Sequence, residues 1–385
     1  MKEFVLVDGV RTPFGRFKGM LANFSAVELG AAAMSELLRR HPDLQADEVL
    51  MAQIVQAGQG QNPARQAADR AGVARTVPAM TLNNVCLASM TSIADAIRRM
   101  DREEGRMYIV GGMESMTNAP HVAVMRHGMK TGAVVLADSL DDGLRCSIGN
   151  LSMIEVAEQA NRELNISRED QDEYAELAHL RAVKAQADGK FAAELVGIRA
   201  KNTGDHLAAD ECLRPETMLE KLAKLRTVME GGTVTAGNAS QLSDGASCGL
   251  VSTMEECDKR GIQPLATIVD WATVAGPDLT LHLKPAKAIS ALLERTGMRL
   301  ADVDLFEINE AYAGVVIASM RELGLSTDVV NVNGGAIALG HPLGASGFRL
   351  VLTLAHELKR NGGGRGIASL CGGGGQGMAI MIEVK

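Results

Sequence analysis

The chain has 385 residues, of which 46% are apolar, 22% charged and 3% aromatic, and its formal net charge is −8. That length can bury one large core or two fused ones, and an acidic balance with so few rings excludes a basic, base-stacking nucleic-acid surface. Glycine (41) and methionine (20) are abundant instead, which favours tight turns and adaptable apolar linings.

The opening MKEFVLVDGVRTPFG reads as a strand and a Gly/Pro turn, without the apolar core and cleavage site of a signal peptide. No apolar run approaches the roughly 20 residues that span a bilayer, so no membrane partner is expected. The cysteines lie far apart, at 86, 146, 212, 248, 257 and 371, with no Cys-x-x-Cys pair. Neither a disulfide framework nor a zinc site is expected, and reduced thiols point to the cytoplasm.

Next comes a pattern that occurs twice. DEVLMAQIVQAG, then MTLNNVCLASMTSIADAI, then MYIVGGMESM give strand, strand–turn–helix, and a strand running into glycines. VDLFEINEAYA, then VVNVNGGAIALGHPLGASGFRLVLTLAHEL, then GIASLCGGGGQG repeat that order. The expected fold class is therefore α/β, with duplicated βαβαβ-type halves, mostly parallel sheets and covering helices. Residues 1–117, completed by about 241–262, form the first half, and 263–385 the second. Residues 118–240 read as an insertion. Within it, Ser167 is the expected N-cap of a solvated helix, and KNTGDHLAADECLRPETMLEKLAKLRTV reads as a loop followed by a basic helix.

Four segments carry residues suited to chemistry. In NNVCLASM, Cys86 precedes a helix, where exposed N–H groups and the helix dipole favour a thiolate; a buried hydrophobic cysteine is the plain alternative. In NGGAIALGHPLGASG, glycines flank His341 and Pro342 fixes the turn. A phosphate loop would need Lys-Ser/Thr after the last glycine, but Phe348 follows Gly347. In SLCGGGGQG, Cys371 ends a strand and the glycine N–H groups can receive an anion. In EINEAYA, Asn309 ends a strand, where it can hold a water or carbonyl, or cap a helix. Nucleophile, base, second acid/base and oxyanion donor are the roles these residue types can fill together.

These blocks, with VRTPFGRFKG, GGMESMTNAP and GGTVTAGNASQLSDGA, resemble the thiolase family along essentially the whole chain and in family order. The resemblance implies the thiolase fold, with two halves in a layered α/β arrangement and an inserted loop domain that binds coenzyme A. It implies that Cys86 is the acylated nucleophile and that His341 deprotonates it. It makes Cys371 the second acid/base, and Asn309 the residue that positions an oxyanion-hole water. The N–H groups of Cys86 and Gly373 would form a second oxyanion hole. Arg214 and Lys221 would lie near the CoA nucleotide and Ser240 near the pantetheine. No metal or redox cofactor is implied, CoA and acyl-CoA being substrates, and a homodimer or homotetramer is expected.

The implied reaction is acetyl-CoA C-acetyltransfer, a reversible Claisen condensation. The alternatives are a 3-ketoacyl-CoA thiolase for longer chains, alone or as a subunit of a multienzyme β-oxidation complex, and a non-catalytic lipid carrier. A carrier should have lost a catalytic residue, and a ketoacyl synthase would carry histidine where Cys371 stands. The chain departs from the family at Leu87-Ala88-Ser89, where a Gly-Ser-Gly-like run is common. It also departs at AGPDLTLHLKP, which replaces a Gly-x-Gly-Pro turn, and at CSIGNLSMIE, where a His-Met-Gly-like segment is usual. His282 and Met113 are candidates for lining the altered pocket, with structural roles as the expectation.

Overall fold

The computed structural model describes residues 2–126, 128 and 131–385. The first half runs β1 (Phe4–Arg11), α1 (Ala26–Arg40), β2 (Glu48–Ala52), α2 (Pro63–Ala71), β3 (Ala79–Leu82), α3 (Ala88–Asp101), β4 (Met107–Ser115) and β5 (Ser243–Thr253). The connection from β4 to β5 contains α4 (Met153–Glu163) and α5 (Arg168–Ala187). The second half runs β6 (Ala266–Ala275), α6 (Lys284–Thr296), β7 (Leu305–Ile308), α7 (Ala313–Leu323), α8 (Leu343–Arg360), β8 (Gly364–Gly372) and β9 (Gln376–Val384). A parallel bridge from Phe306 to Val330 stands where the first half has β3.

The strands lie in the order β7-β8-β9-β6-β1-β5-β4-β2-β3. The halves meet along the short antiparallel register from Phe4↔Ile268 to Leu6↔Ala266. The expectation of mostly parallel sheets needs correcting. Among the strands named above, parallel pairing joins β2–β3, β2–β4 and β7–β8, where helical crossovers return the chain in the same direction. β5 enters after the long connection and runs antiparallel to β1 and β4. β9 folds straight back on β8 as a hairpin.

The strands are apolar on both faces because both faces are covered. Leu6 and Val110 face a central layer made of α3 and α8, through Ile93, Ile97, Phe348 and Val351, and Ala368 and Ile380 reach that layer from the second half. Val5, Val7 and Val49 face outward onto α1 and α2. Ile308, Ile367 and Met381 face α6 and α7. The central helices approach closely where small residues permit it. A Cβ on Gly347 would lie 2.9 Å from Met90 N, and Ser89 Oγ accepts the Phe348 N–H at 3.0 Å.

α5 starts at Ser167, whose side chain forms a capping box with Asp170. It is not a solvated helix, because Tyr174, Ala175, Ala178 and Ala182 are buried against the second half. The expected basic helix shrinks to Leu219–Leu222, followed by turns. The connection is tied to the core by buried Arg11, which binds Glu194 Oε1 at 2.7 Å and both oxygens of Asp210 at 2.7 and 2.8 Å. No helix among the described residues is long and apolar enough to cross a membrane.

Candidate active site

β3 stops at Leu82, and Asn83 Oδ1 accepts the Val85 N–H at 3.1 Å to tighten the turn. Val85 has φ of 49°, a left-handed conformation that costs a β-branched residue about 1–3 kcal/mol. The turn closes with Leu87 N–H on Asn84 O and Ala88 N–H on Val85 O. This leaves Cys86 just ahead of α3, with its N–H outside the helical ladder. That N–H and the N–H of Gly373 both favour the ionised form of its thiol.

The second half delivers the partners. Gly340 has φ of 100°, and a Cβ there would meet Ser243 Oγ at 2.4 Å, so only glycine fits before His341. The His341 N–H is shared between Gln241 O at 3.3 Å and Ser243 Oγ at 3.2 Å. Ser346 donates its hydroxyl proton to Pro342 O at 2.8 Å. His341 Nδ1 must therefore donate to Ser346 Oγ, at 2.6 Å. Nε2 is left as an acceptor, and Asn309 Nδ2 donates to it at 3.3 Å. Asn309 is not the cap of α7, which begins at Ala313 with Tyr312 as its N-cap and no side-chain cap bond. Its Oδ1 is enclosed and has no partner among the described residues. Cys371 is the penultimate residue of β8, and Gly373 opens the turn into β9.

A cavity of about 810 Å³ brings Cys86, His341, Cys371 and Gly373 together. Arg214 and Ser240 also line it, whereas Lys221 is exposed and lies outside the lining. Asn309 sits behind His341 rather than on the wall. The lining is mainly apolar, with Phe17, Met116, Met153, Ile154, Val234 and Leu281 among its residues. Met113 packs in the core under α1, and His282 is buried with Nε2 2.8 Å from Asn161 Oδ1; neither lines the cavity.

Burial dominates the electrostatics. It pushes the Cys86 thiol up to about 12, against the lowering effect of the two N–H groups. The N–H groups at the helix start thus favour the thiolate, as expected there, while burial opposes it. Burial pushes Cys371 up as well, with nearby Cys86 adding to the effect. It lowers His341 to about 3, aided by Arg349, so the resting imidazole is neutral and its Nε2 carries no proton.

Sequence reasoning missed Ser346, which fixes the histidine tautomer, although a hydroxyl five residues after a histidine in a Gly-rich turn was a usable signal. It also missed Tyr312, which lines the cavity and whose hydroxyl is pushed up by burial and by both cysteines. Glu114 was not singled out either. Its carboxylate accepts the N–H groups of Ile54, Val55 and Gly344, and burial raises it to about 7 despite them.

Residues 4–255 match the thiolase N-terminal domain and residues 262–384 the thiolase C-terminal domain. A relative from Mycobacterium tuberculosis named "Probable acetyl-CoA acetyltransferase" is 45% identical, with 100% of each chain covered. The human mitochondrial 3-ketoacyl-CoA thiolase in complex with CoA superposes with a TM-score of 0.95 at 37% identity, covering 100% of this chain and 98% of the other. The Bacillus anthracis acetyl-CoA acetyltransferase gives 0.96 at 36% identity, covering 100% and 99%. The paired cysteines, the histidine between them and the duplicated fold agree with these matches over the full length, and the chain belongs to the thiolase family.

Proposed function

We propose that the chain is an acetyl-CoA C-acetyltransferase, which condenses two acetyl-CoA molecules reversibly to acetoacetyl-CoA and CoA. The observation that carries this reading is the convergence of Cys86, His341, Cys371 and the Gly373 N–H on one cavity. The relatives named for that activity support it.

His341 Nε2 takes the Cys86 proton as the sulfur attacks the first thioester, its hydrogen bond from Asn309 giving way. The N–H groups already directed at Cys86 stabilise an oxyanion formed on the acyl-cysteine. The departing CoA sulfur takes the Cys371 proton, which leaves a Cys371 thiolate opposite an imidazolium. That thiolate removes an α-proton from the second acetyl-CoA. Asn309, held against His341, positions the donors for the resulting enolate oxygen. The enolate carbon attacks the acetyl-Cys86 carbonyl, and Cys86 leaves and regains its proton from His341. Every proton returns to its starting group, so the cycle closes on protein groups and two substrates without a metal or redox cofactor.

Arg214 at the cavity wall suits a CoA phosphate, Ser240 suits the pantetheine, and exposed Lys221 suits an outer nucleotide contact. The chain is read as cytoplasmic and homo-oligomeric. Exposed apolar side chains beside the His121–Val122 ribbon, Val124 and Val135 among them, fit an assembly of identical copies.

A longer-chain thiolase is the second reading, favoured by the apolar lining. The separating experiment is CoA-dependent cleavage of 3-ketoacyl-CoAs of increasing length, beginning with acetoacetyl-CoA. Activity concentrated on acetoacetyl-CoA is expected. Activity that rises with chain length would move the assignment to the second reading, and none at any length would overturn both.

A further inference from the structure

Gln241 stands where the chain leaves the connection and enters β5, and it touches two parts of the site at once. Its carbonyl accepts the His341 N–H at 3.3 Å and the Ser243 hydroxyl at 2.7 Å. Its side chain reaches across to the connection, where Nε2 donates to Cys212 O at 3.0 Å and Oε1 accepts from Arg214 Nη2 at 3.3 Å. Both Gln241 and Arg214 line the cavity.

The backbone just before Arg214 is held from the opposite side. Asp210 is clamped by Arg11 and accepts the Phe14 N–H at 2.8 Å. Glu211 accepts the N–H groups of Arg16 and Met20. The exposed Arg214 side chain has no such support from behind, and its described side-chain hydrogen bond is the one to Gln241.

We propose that Gln241 is a positioning residue, an uncharged strut that aims Arg214 at an anionic part of the acyl carrier while its main chain holds the base loop. A neutral amide suits this task. It fixes one N–H of the guanidinium and leaves the positive charge uncompensated for a phosphate. A carboxylate at the same place would neutralise that charge. The inference rests on the reading of the carrier as coenzyme A, and it adds a residue that discriminates phosphate-bearing from truncated carriers.

The test compares the KM for acetoacetyl-CoA with that for acetoacetyl-N-acetylcysteamine, which lacks every phosphate, in wild type, Gln241→Ala and Gln241→Glu. The ratio of the first KM to the second should rise roughly 3- to 10-fold in Gln241→Ala, the size of one ordinary net hydrogen bond. It should rise further in Gln241→Glu. Adding Gln241→Ala to Arg214→Ala should leave the ratio at the Arg214→Ala value. An unchanged ratio in Gln241→Ala, or a Gln241→Glu ratio at or below wild type, would overturn the inference alone. Absence of turnover of either thioester by wild type would overturn the functional reading with it.

Discussion

The loops before α3 and α8 hold equivalent places in the two halves, yet they present opposite chemistry. The first offers Cys86 after a left-handed valine, and the second offers His341 after a left-handed glycine. Both loops aim one reactive side chain into the shared cavity from the start of a central helix. Val85 gives the first loop a side chain on the cavity wall and bears backbone strain. Gly340 avoids that strain because it has no Cβ, for which Ser243 would in any case leave no room. Duplication supplied one device twice, and the local backbone shows which copy tolerates a substituent.

Gly340→Ala should break the second loop most severely. It combines a disfavoured φ with a contact against Ser243, so a loss of about 2–4 kcal/mol in urea unfolding is expected. Displacement of His341 should lower kcat at least about tenfold. Stability and kcat near wild type would show that the loop has slack which this geometry denies.

The next effect concerns ionisation. A raised thiol pKa means that the folded site keeps the Cys86 proton throughout the neutral range, because the charged form is the one that burial penalises. Alkylation of Cys86 by iodoacetamide should therefore quicken about tenfold per pH unit between about pH 7 and 10, without levelling. A plateau near neutrality would mean that a thiolate is already present and that the N–H groups outweigh burial.

The smallest effect is expected at Val85. Val85→Gly relieves the left-handed strain while adding chain entropy to the unfolded state, so stability should stay within about 1 kcal/mol of wild type. A loss above about 2 kcal/mol would show that Val85 is not strained and is held by packing.

The repeat, the helix after Cys86, the turn around His341 and the strand ending at Cys371 were legible because each rests on local pattern: periodicity, glycine and proline. Strand direction was not, because β5 pairs with β1 and β4 only after the long connection has returned. The burial of α5 was hidden because alanines such as Ala175 and Ala178 serve a close helix contact as readily as a solvated face. The balance at Cys86 was only half legible for a related reason. Proximity to a helix start is visible in sequence, but the burial that outweighs it is a property of the whole cavity. Gln241 gave no signal, since its two contacts lie on segments far apart in the chain.

The central claim is that Cys86 carries the acyl group while Cys371, from the other half, handles the α-proton. The most direct measurement is mass spectrometry of Cys371→Ala after incubation with acetyl-CoA, alongside an assay for acetoacetyl-CoA. An acetyl group located on the Cys86 peptide, with no condensation product, is the predicted result. An unmodified Cys86, or acetoacetyl-CoA formed at the wild-type rate, would contradict this division between the halves.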